Sequence, residues 1–181
     1  MALLESTMTP LGSPCPDFAL PGVDGHLYHR STFHEPLLLV VVMCNHCPYV
    51  QAVDDRINRL ANDYFHQVAV VGLNPNDAEA YPADSMDAMR ERAKEKGYVF
   101  TYLRDEAQTT ARAFGAVCTP DYFLYDRERR LAYRGRLDDN WKEAGAVTRE
   151  ELREAIEALL AGGRPDPVQR PSMGCSIKWK P

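Results

Sequence analysis

The chain has 181 residues, a length that suits one α/β domain with a substantial core rather than two domains. Apolar residues make up 45% and charged residues 26%, values that are ordinary for a globular protein. The net charge is -5, from 26 acidic and 21 basic residues, and no long basic run is visible, so a nucleic-acid or anionic-membrane surface is not expected.

The first third of the chain leads into one buried strand. Residues 1–14 read as a loose lead-in without the basic start and apolar stretch of a signal peptide. Residues 17–20 and 26–28 flank a glycine-containing turn and predict a short hairpin. The apolar run 37–43 predicts a strand covered on both faces and is far too short to span a bilayer. We therefore expect a cytoplasmic protein by default.

A helix is predicted directly after this strand. Val50, Val53, Ile57, Leu60 and Tyr64 recur at helical spacing. The proline at position 48 fits the first turn, where a missing N–H costs nothing. The four residues between strand and helix are Cys44, Asn45, His46 and Cys47, so this motif lies where a buried strand feeds a helix N-terminus.

The remaining elements alternate and then form a hairpin. In order, the patterns predict a strand at 68–73, a helix at 85–96 capped by Asp84, a strand at 99–103, a short helix at 106–114, a hairpin of 122–125 with 131–133, and a helix opened by a capping box at 148–151. The order predicts a central mixed sheet with helices on both faces, in one domain over 1–163 with an N-terminal hairpin extension. Residues 164–181 form an irregular, proline-rich tail that we expect to dock on that domain.

Two cysteines separated by two residues at a helix start are suited to redox chemistry. Free N–H groups and the helix dipole stabilise a thiolate there and lower its pKa. We expect Cys44 to be the exposed nucleophile and Cys47, one turn into the helix, to resolve the mixed disulfide. The alternative is half of a zinc site, which needs two further ligands; no second cysteine pair is present, although His46 could contribute.

Three segments resemble one family. Residues 16–25 are similar to the opening of redoxin-type proteins, the group that spans TlpA-like thioredoxins and AhpC/TSA peroxiredoxins, and the Cys44 motif after an apolar strand looks like a thioredoxin active site. The segment 114–126 is similar to the one that holds the cis-proline of that fold. The resemblance covers about 12–161 and implies a thioredoxin-like fold. It also implies that Pro120 is cis and that the backbone of Thr119 grips substrate beside the sulfurs; the alternative is an ordinary trans proline that opens a strand.

The motif departs from that of reducing thioredoxins. Asn45 and His46 replace Gly-Pro, and Met43 stands where a tryptophan is usual. His46 can favour the Cys44 thiolate and make the disulfide more oxidising, or it can be a solvated cap. We identify no counterpart of the buried acid that shuttles protons in many relatives.

The other cysteines divide into two kinds. Cys15 and Cys118 are expected to be core residues. Cys175 lies in an apolar, aromatic cluster near the end of the tail, and either acts as a third redox thiol or merely packs.

These observations predict a thiol–disulfide oxidoreductase that acts on a protein or small-molecule disulfide or dithiol, without a cofactor or metal. A peroxiredoxin-like thiol peroxidase is one alternative, although the threonine expected three residues before the reactive cysteine is absent, since Cys44 occupies that place relative to Cys47. The other is a metal-binding redox chaperone or sensor that uses Cys44, Cys47, His46 and Cys175. The oligomeric state is not predicted.

Overall fold

The computed structural model describes residues 3–181. Its strands are Leu3–Glu5 (β1), Ala19–Pro21 (β2), Leu27–His29 (β3), Leu37–Val42 (β4), Val68–Asn74 (β5), Thr101–Arg104 (β6), Cys118–Thr119 (β7), Asp121–Tyr125 (β8), Leu131–Tyr133 (β9) and Met173–Ser176 (β10). Its helices are Pro48–Gln51 (α1), Asp54–Asp63 (α2), Met86–Lys96 (α3), Thr109–Phe114 (α4) and Glu151–Leu160 (α5). Within this range, no helix is long and apolar enough to cross a membrane.

A five-stranded mixed sheet forms the centre, in the order β6-β5-β4-β8-β9. Strand β4 is parallel to β5, which is parallel to β6, whereas β8 runs antiparallel to both β4 and β9. The mixed sheet that the sequence predicts is therefore confirmed. Strands β2 and β3 pair as the expected N-terminal hairpin.

Helices and the hairpin cover the two faces of this sheet, and alternate residues of β4 belong to the two cores. Leu39 belongs to the core that contains Ile57 of α2 and Ile156 of α5. Leu38 belongs to the opposite core, with Phe114 of α4 and residues of the hairpin region. Every β4 side chain is buried, which explains why its sequence is a continuous apolar run rather than an alternating one.

Two predicted helices differ from the observed ones. The helix after the cysteine motif is in two pieces, α1 and α2, because the backbone leaves the helical region at Val53 (φ -122°, ψ -9°). Helix α5 begins without the predicted capping box. Thr148 instead uses its backbone N–H and its hydroxyl to bind the Asp139 carboxylate, so its side chain is not available to the helix.

The lead-in and the tail are more ordered than the sequence predicts. Strand β10 lies between β1 and β7 in a second sheet, antiparallel to both. Ser6 N–H donates to the carbonyl of Ser172 at 2.9 Å, and Ile177 N–H donates to that of Val117 at 3.1 Å. Each strand is short and gains its hydrogen bonds from residues distant in sequence, so local patterns did not reveal it.

Candidate active site

The cysteine motif connects β4 to α1. Cys47 is the N-cap of α1, with Pro48 in the first turn as expected. Both cysteines are buried, with 1% of Cys44 and none of Cys47 exposed. The prediction of an exposed Cys44, and of Cys47 one turn into the helix, is therefore wrong. The segment before Pro120 and strand β10 pack over the motif and cover both sulfurs.

Thr119 contacts both sulfurs. The Thr119–Pro120 peptide bond is cis. The Cys44 Sγ lies 3.4 Å from the Thr119 hydroxyl, and the Cys47 thiol donates to the Thr119 carbonyl at 3.2 Å. The fold thus brings together two of the three segments on which the family resemblance depends, although more than 70 residues separate them.

The two thiols shift each other's pKa in opposite directions. A hydrogen bond from Cys44, together with the Val50 N–H of the capped helix, lowers the pKa of Cys47 to about 4. The same hydrogen bond raises the pKa of Cys44 well above its usual value, and burial and the Asp84 carboxylate raise it further. We expected the lowered pKa on Cys44. The hydrogen bond between the two thiols favours negative charge on Cys47 instead, while burial and the Asp84 carboxylate oppose it on Cys44.

Asp84 is the acid that the sequence analysis missed. The pattern predicted that it caps α3, but Ser85 is the N-cap, and its hydroxyl accepts from Ala88 N–H at 3.3 Å. The Asp84 side chain is fully buried beside Cys44 and turns toward the motif. A signal was available, because parallel β4 and β5 end at the same edge of the sheet and residues that follow β5 must lie near those that follow β4.

A polar network holds the Asp84 carboxylate in place. It accepts hydrogen bonds from Asn45 N–H at 2.7 Å, from the Asn76 amide at 2.9 Å and from the Asn74 amide at 3.3 Å. Tyr102 donates to the Asn45 side chain at 3.0 Å and closes the network beneath the motif. A buried carboxylate with this many donors keeps a fixed position.

His46 is the fourth partner of Asp84. Its Nδ1 lies 2.5 Å from the Asp84 carboxylate, and its ring stacks on Tyr81 with 5.1 Å between the ring centroids. Its Nε2 is buried and has no hydrogen-bond partner among residues 3–181. The carboxylate and the stacked ring fix the orientation of the imidazole, so His46 is a positioned group and not a freely solvated cap.

Three side chains at the motif could hold a metal ion. Cys44, His46 and Asp84 each offer a ligand atom, and these atoms lie within 4.8 Å of one another. A thiolate, an imidazole and a carboxylate are all ligands that Zn²⁺ accepts. In the described part of the chain, Cys47 and Cys175 do not belong to this group, so it differs from the metal set that the sequence suggested.

The three remaining cysteines occupy different places. Cys175 lies in β10 opposite Thr119 and belongs to the same buried cluster as Cys44 and Cys47. Cys118 and Cys15 are buried elsewhere, and burial raises the pKa of the Cys118 thiol well above its usual value and that of Cys15 to about 12. A raised pKa leaves little thiolate, which fits the expectation that these two are core residues.

The comparisons with known proteins identify the family. The redoxin family model matches residues 10–155, so the chain belongs to the redoxin family. The crystal structure of an uncharacterized conserved protein from Geobacillus kaustophilus is 46% identical over 100% of this chain and 98% of that one, with a TM-score of 0.96. That of a hypothetical protein from Sinorhizobium meliloti is 42% identical over 97% of this chain and 98% of that one, with a TM-score of 0.93. No curated protein matches the sequence.

A more distant structure supports the fold alone. It is a Chlorobium tepidum protein described as a thiol:disulfide interchange protein DsbE, 23% identical over 86% of this chain and 98% of that one, with a TM-score of 0.63. The expected thioredoxin-like fold is confirmed by these matches, as is the resemblance to the redoxin group.

Proposed function

We propose that this redoxin-family protein is a thiol–disulfide oxidoreductase in which Cys44 is the nucleophile and Cys47 the resolving thiol. One observation carries the proposal. Both sulfurs meet Thr119, Cys44 at its hydroxyl (3.4 Å) and Cys47 at its carbonyl (3.2 Å), next to a cis peptide bond. Two neighbouring thiols that can form a disulfide are a reversible two-electron carrier.

His46 and Asp84 favour Cys44 as the attacking group. The raised pKa of Cys44 means that it needs a base to become a thiolate, and ligand atoms of His46 and Asp84 lie within 4.8 Å of its sulfur. Asp84 fixes the imidazole at 2.5 Å and stabilises the positive charge that forms when the ring takes the proton. Cys47 has no such neighbour in this group and lies fully buried against the Thr119 carbonyl.

The reaction then proceeds by two exchanges. The Cys44 thiolate attacks one sulfur of a substrate disulfide, and the other substrate sulfur leaves as a thiolate. The Cys47 thiolate attacks Cys44 Sγ, which forms the Cys44–Cys47 disulfide and releases the second substrate thiol. The substrate gains the two electrons that the protein loses. The lowered pKa of Cys47 stabilises the reduced dithiol, so we expect a more oxidising disulfide than that of a reducing thioredoxin.

Insulin reduction in the presence of dithiothreitol tests the proposal. We expect activity in the wild type, none in Cys44→Ser, and stable mixed disulfides in Cys47→Ser, because that variant lacks the resolving thiol. Cys118→Ser is the matched control, since Cys118 is also a buried thiol and lies outside the dithiol. Full activity in Cys44→Ser would contradict the assigned roles.

Metal binding is a second candidate, favoured by the closeness of Cys44, His46 and Asp84. The metal content of freshly purified protein separates the two proposals. Stoichiometric zinc or copper without insulin reduction would overturn the first, and peroxide consumption that depends on Cys44 would favour a peroxidase.

We propose a protein or small-molecule disulfide as the partner, and a cytoplasmic location stays a prediction that cell fractionation would test.

A further inference from the structure

Strand β10 lies against the residue that both active-site sulfurs contact. Its register places Cys175 directly opposite Thr119 and Ser176 opposite Cys118. Residues that face each other in an antiparallel pair have Cβ atoms about 4.5–5.5 Å apart and project to the same side of the sheet. The side chain of Cys175 therefore projects to the side on which Thr119 meets the dithiol.

Gly174 makes this close approach feasible. A Cβ added at this position would lie 1.9 Å from the Thr119 carbonyl oxygen and 3.1 Å from the Pro120 nitrogen. Both atoms are backbone and cannot move aside as a flexible side chain could. A glycine immediately before Cys175 thus lets the tail backbone rest on the Thr119–Pro120 peptide.

Cys175 interacts with Cys47. A hydrogen bond between the two thiols contributes to the lowered pKa of Cys47. Burial and the same hydrogen bond raise the pKa of Cys175 to about 12.

Hydrogen bonds on both sides of β10 hold Cys175 at the dithiol. Before the strand, the carbonyl of Ser172 accepts from Ser6 N–H at 2.9 Å. After it, Lys178 N–H donates to the Asn76 side chain at 2.9 Å, and the Lys178 carbonyl accepts from the Gln108 amide at 2.9 Å. A thiol fixed in this way competes with external thiols at a high effective concentration.

We propose that Cys175 is a third redox thiol that exchanges with the oxidised dithiol, an inference that rests on the proposed function. The Cys175 thiolate attacks Cys47 Sγ of the Cys44–Cys47 disulfide. The Cys47–Cys175 bond forms, the Cys44–Cys47 bond breaks, and Cys44 leaves with the electron pair and takes up the proton that Cys175 released. One disulfide and one thiol exist before and after, so the exchange needs no external oxidant.

The consequence is that the oxidised protein can regain a free Cys44. In that state Cys44 again lies beside His46 and Asp84, while the disulfide is stored between the motif and the tail. Cys175 and Cys44 are both buried, with 3% and 1% of the residues exposed, so the internal thiol meets the disulfide without leaving the protein interior.

The test is disulfide mapping by mass spectrometry after equilibration with oxidised and reduced glutathione. Cys44→Ser removes the competing disulfide, and we expect most of this variant to contain Cys47–Cys175, with glutathione disulfide reduced in the process. The further change Cys118→Ser should leave that disulfide in place, because Cys118 neighbours Thr119 in β7 but projects to the opposite side. When Cys44→Ser is combined with Cys175→Ser instead, Cys47 should form a mixed disulfide with glutathione. Glutathione on Cys47 and a free Cys175 in Cys44→Ser itself would overturn the proposal.

Gly174→Ala is an independent test of the geometry. The added methyl group pushes β10 away from Thr119, so we expect at least a tenfold lower yield of Cys47–Cys175 in the Cys44→Ser background. In the otherwise wild-type chain, Cys44–Cys47 should still form, and a cooperative urea-unfolding transition of the same variant shows that the domain is folded. An unchanged yield would overturn the role of the β10 register. Disulfide mapping does not require turnover, so the two proposals can fail separately. If insulin is not reduced but the Cys47–Cys175 bond is mapped, the proposed function is rejected and the disulfide between Cys47 and the tail still stands.

Discussion

Asp121 follows Pro120 in the chain and is a buried carboxyl group. It accepts hydrogen bonds from the Ser6 hydroxyl at 2.7 Å and the Ser172 hydroxyl at 2.9 Å, and the Arg134 guanidinium lies 3.8 Å away. Burial raises its pKa from 3.8 to about 6, against the opposing effects of these three partners. Asp121, the residue after the cis bond, therefore connects Ser6 at the end of β1 with Ser172 at the start of β10. Ionisation of its buried carboxyl group lowers the stability of the folded state.

The sign of the pH dependence follows from this raised pKa. The folded state binds the Asp121 proton more tightly than the unfolded state. The resulting contribution to the free energy of unfolding is fully present below pH 3.8 and is lost as the pH rises through about 6. Each pH unit between the two pKa values is worth about 1.4 kcal/mol, so the whole contribution is about 3 kcal/mol, of which about 2 kcal/mol is lost between about pH 4 and pH 7. Asp121→Asn cannot titrate and removes this dependence.

Urea unfolding of the wild type and of Asp121→Asn near pH 4 and near pH 7 measures the pH dependence of stability that Asp121 causes. We expect the free energy of unfolding of the variant, relative to the wild type, to rise by about 2 kcal/mol between these conditions. Asp105 and Asp138, whose pKa values burial also raises, titrate in both proteins and cancel in the comparison. Asp87→Asn on the exposed face of α3 is the control for removing one charge. Parallel stability curves, or a variant that loses stability relative to the wild type as the pH rises, would contradict this prediction.

Two further predictions concern the site and the core. Asp84→Asn keeps the shape of the side chain but removes the charge that supports His46, so we expect insulin reduction to fall about 10- to 100-fold. The control variant Asp87→Asn should keep the wild-type activity. An Asp84→Asn variant as active as the wild type would mean that the carboxylate does not assist Cys44. Leu39→Ala removes a fully buried side chain from the central strand and should lower the free energy of unfolding in urea by about 2–5 kcal/mol. A loss below about 1 kcal/mol there would show that the core closes over the cavity.

Much of the fold could be predicted from local sequence patterns. The run 37–43 predicted β4 because a strand covered on both faces needs an apolar side chain at every position. The Cys44 motif and the Thr119–Pro120 segment could be recognised for a similar reason, since each depends on residue types at short spacing. The same holds for the hairpin of β8 and β9, which is closed by a local turn.

Features that depend on distant contacts were not accessible in this way. Asp84 was predicted to be a helix cap, because its contact with His46 cannot be seen in the local sequence. That contact depends on the parallel pairing of β4 with β5, which brings together two residues 38 positions apart. The expected low pKa of Cys44 was reversed because the hydrogen bond with Cys47, burial and the Asp84 carboxylate all raise it, and the last two of these depend on the tertiary structure.

The central sheet, the dithiol and Pro120 could be predicted from burial patterns and short spacings along the chain. The tertiary fold, by contrast, determines which cysteine has the lowered pKa and turns the irregular tail into β10, with Cys175 opposite Thr119. Those outcomes depend on hydrogen bonds and charges between residues far apart in the chain, and a single sequence carries no local record of such pairs.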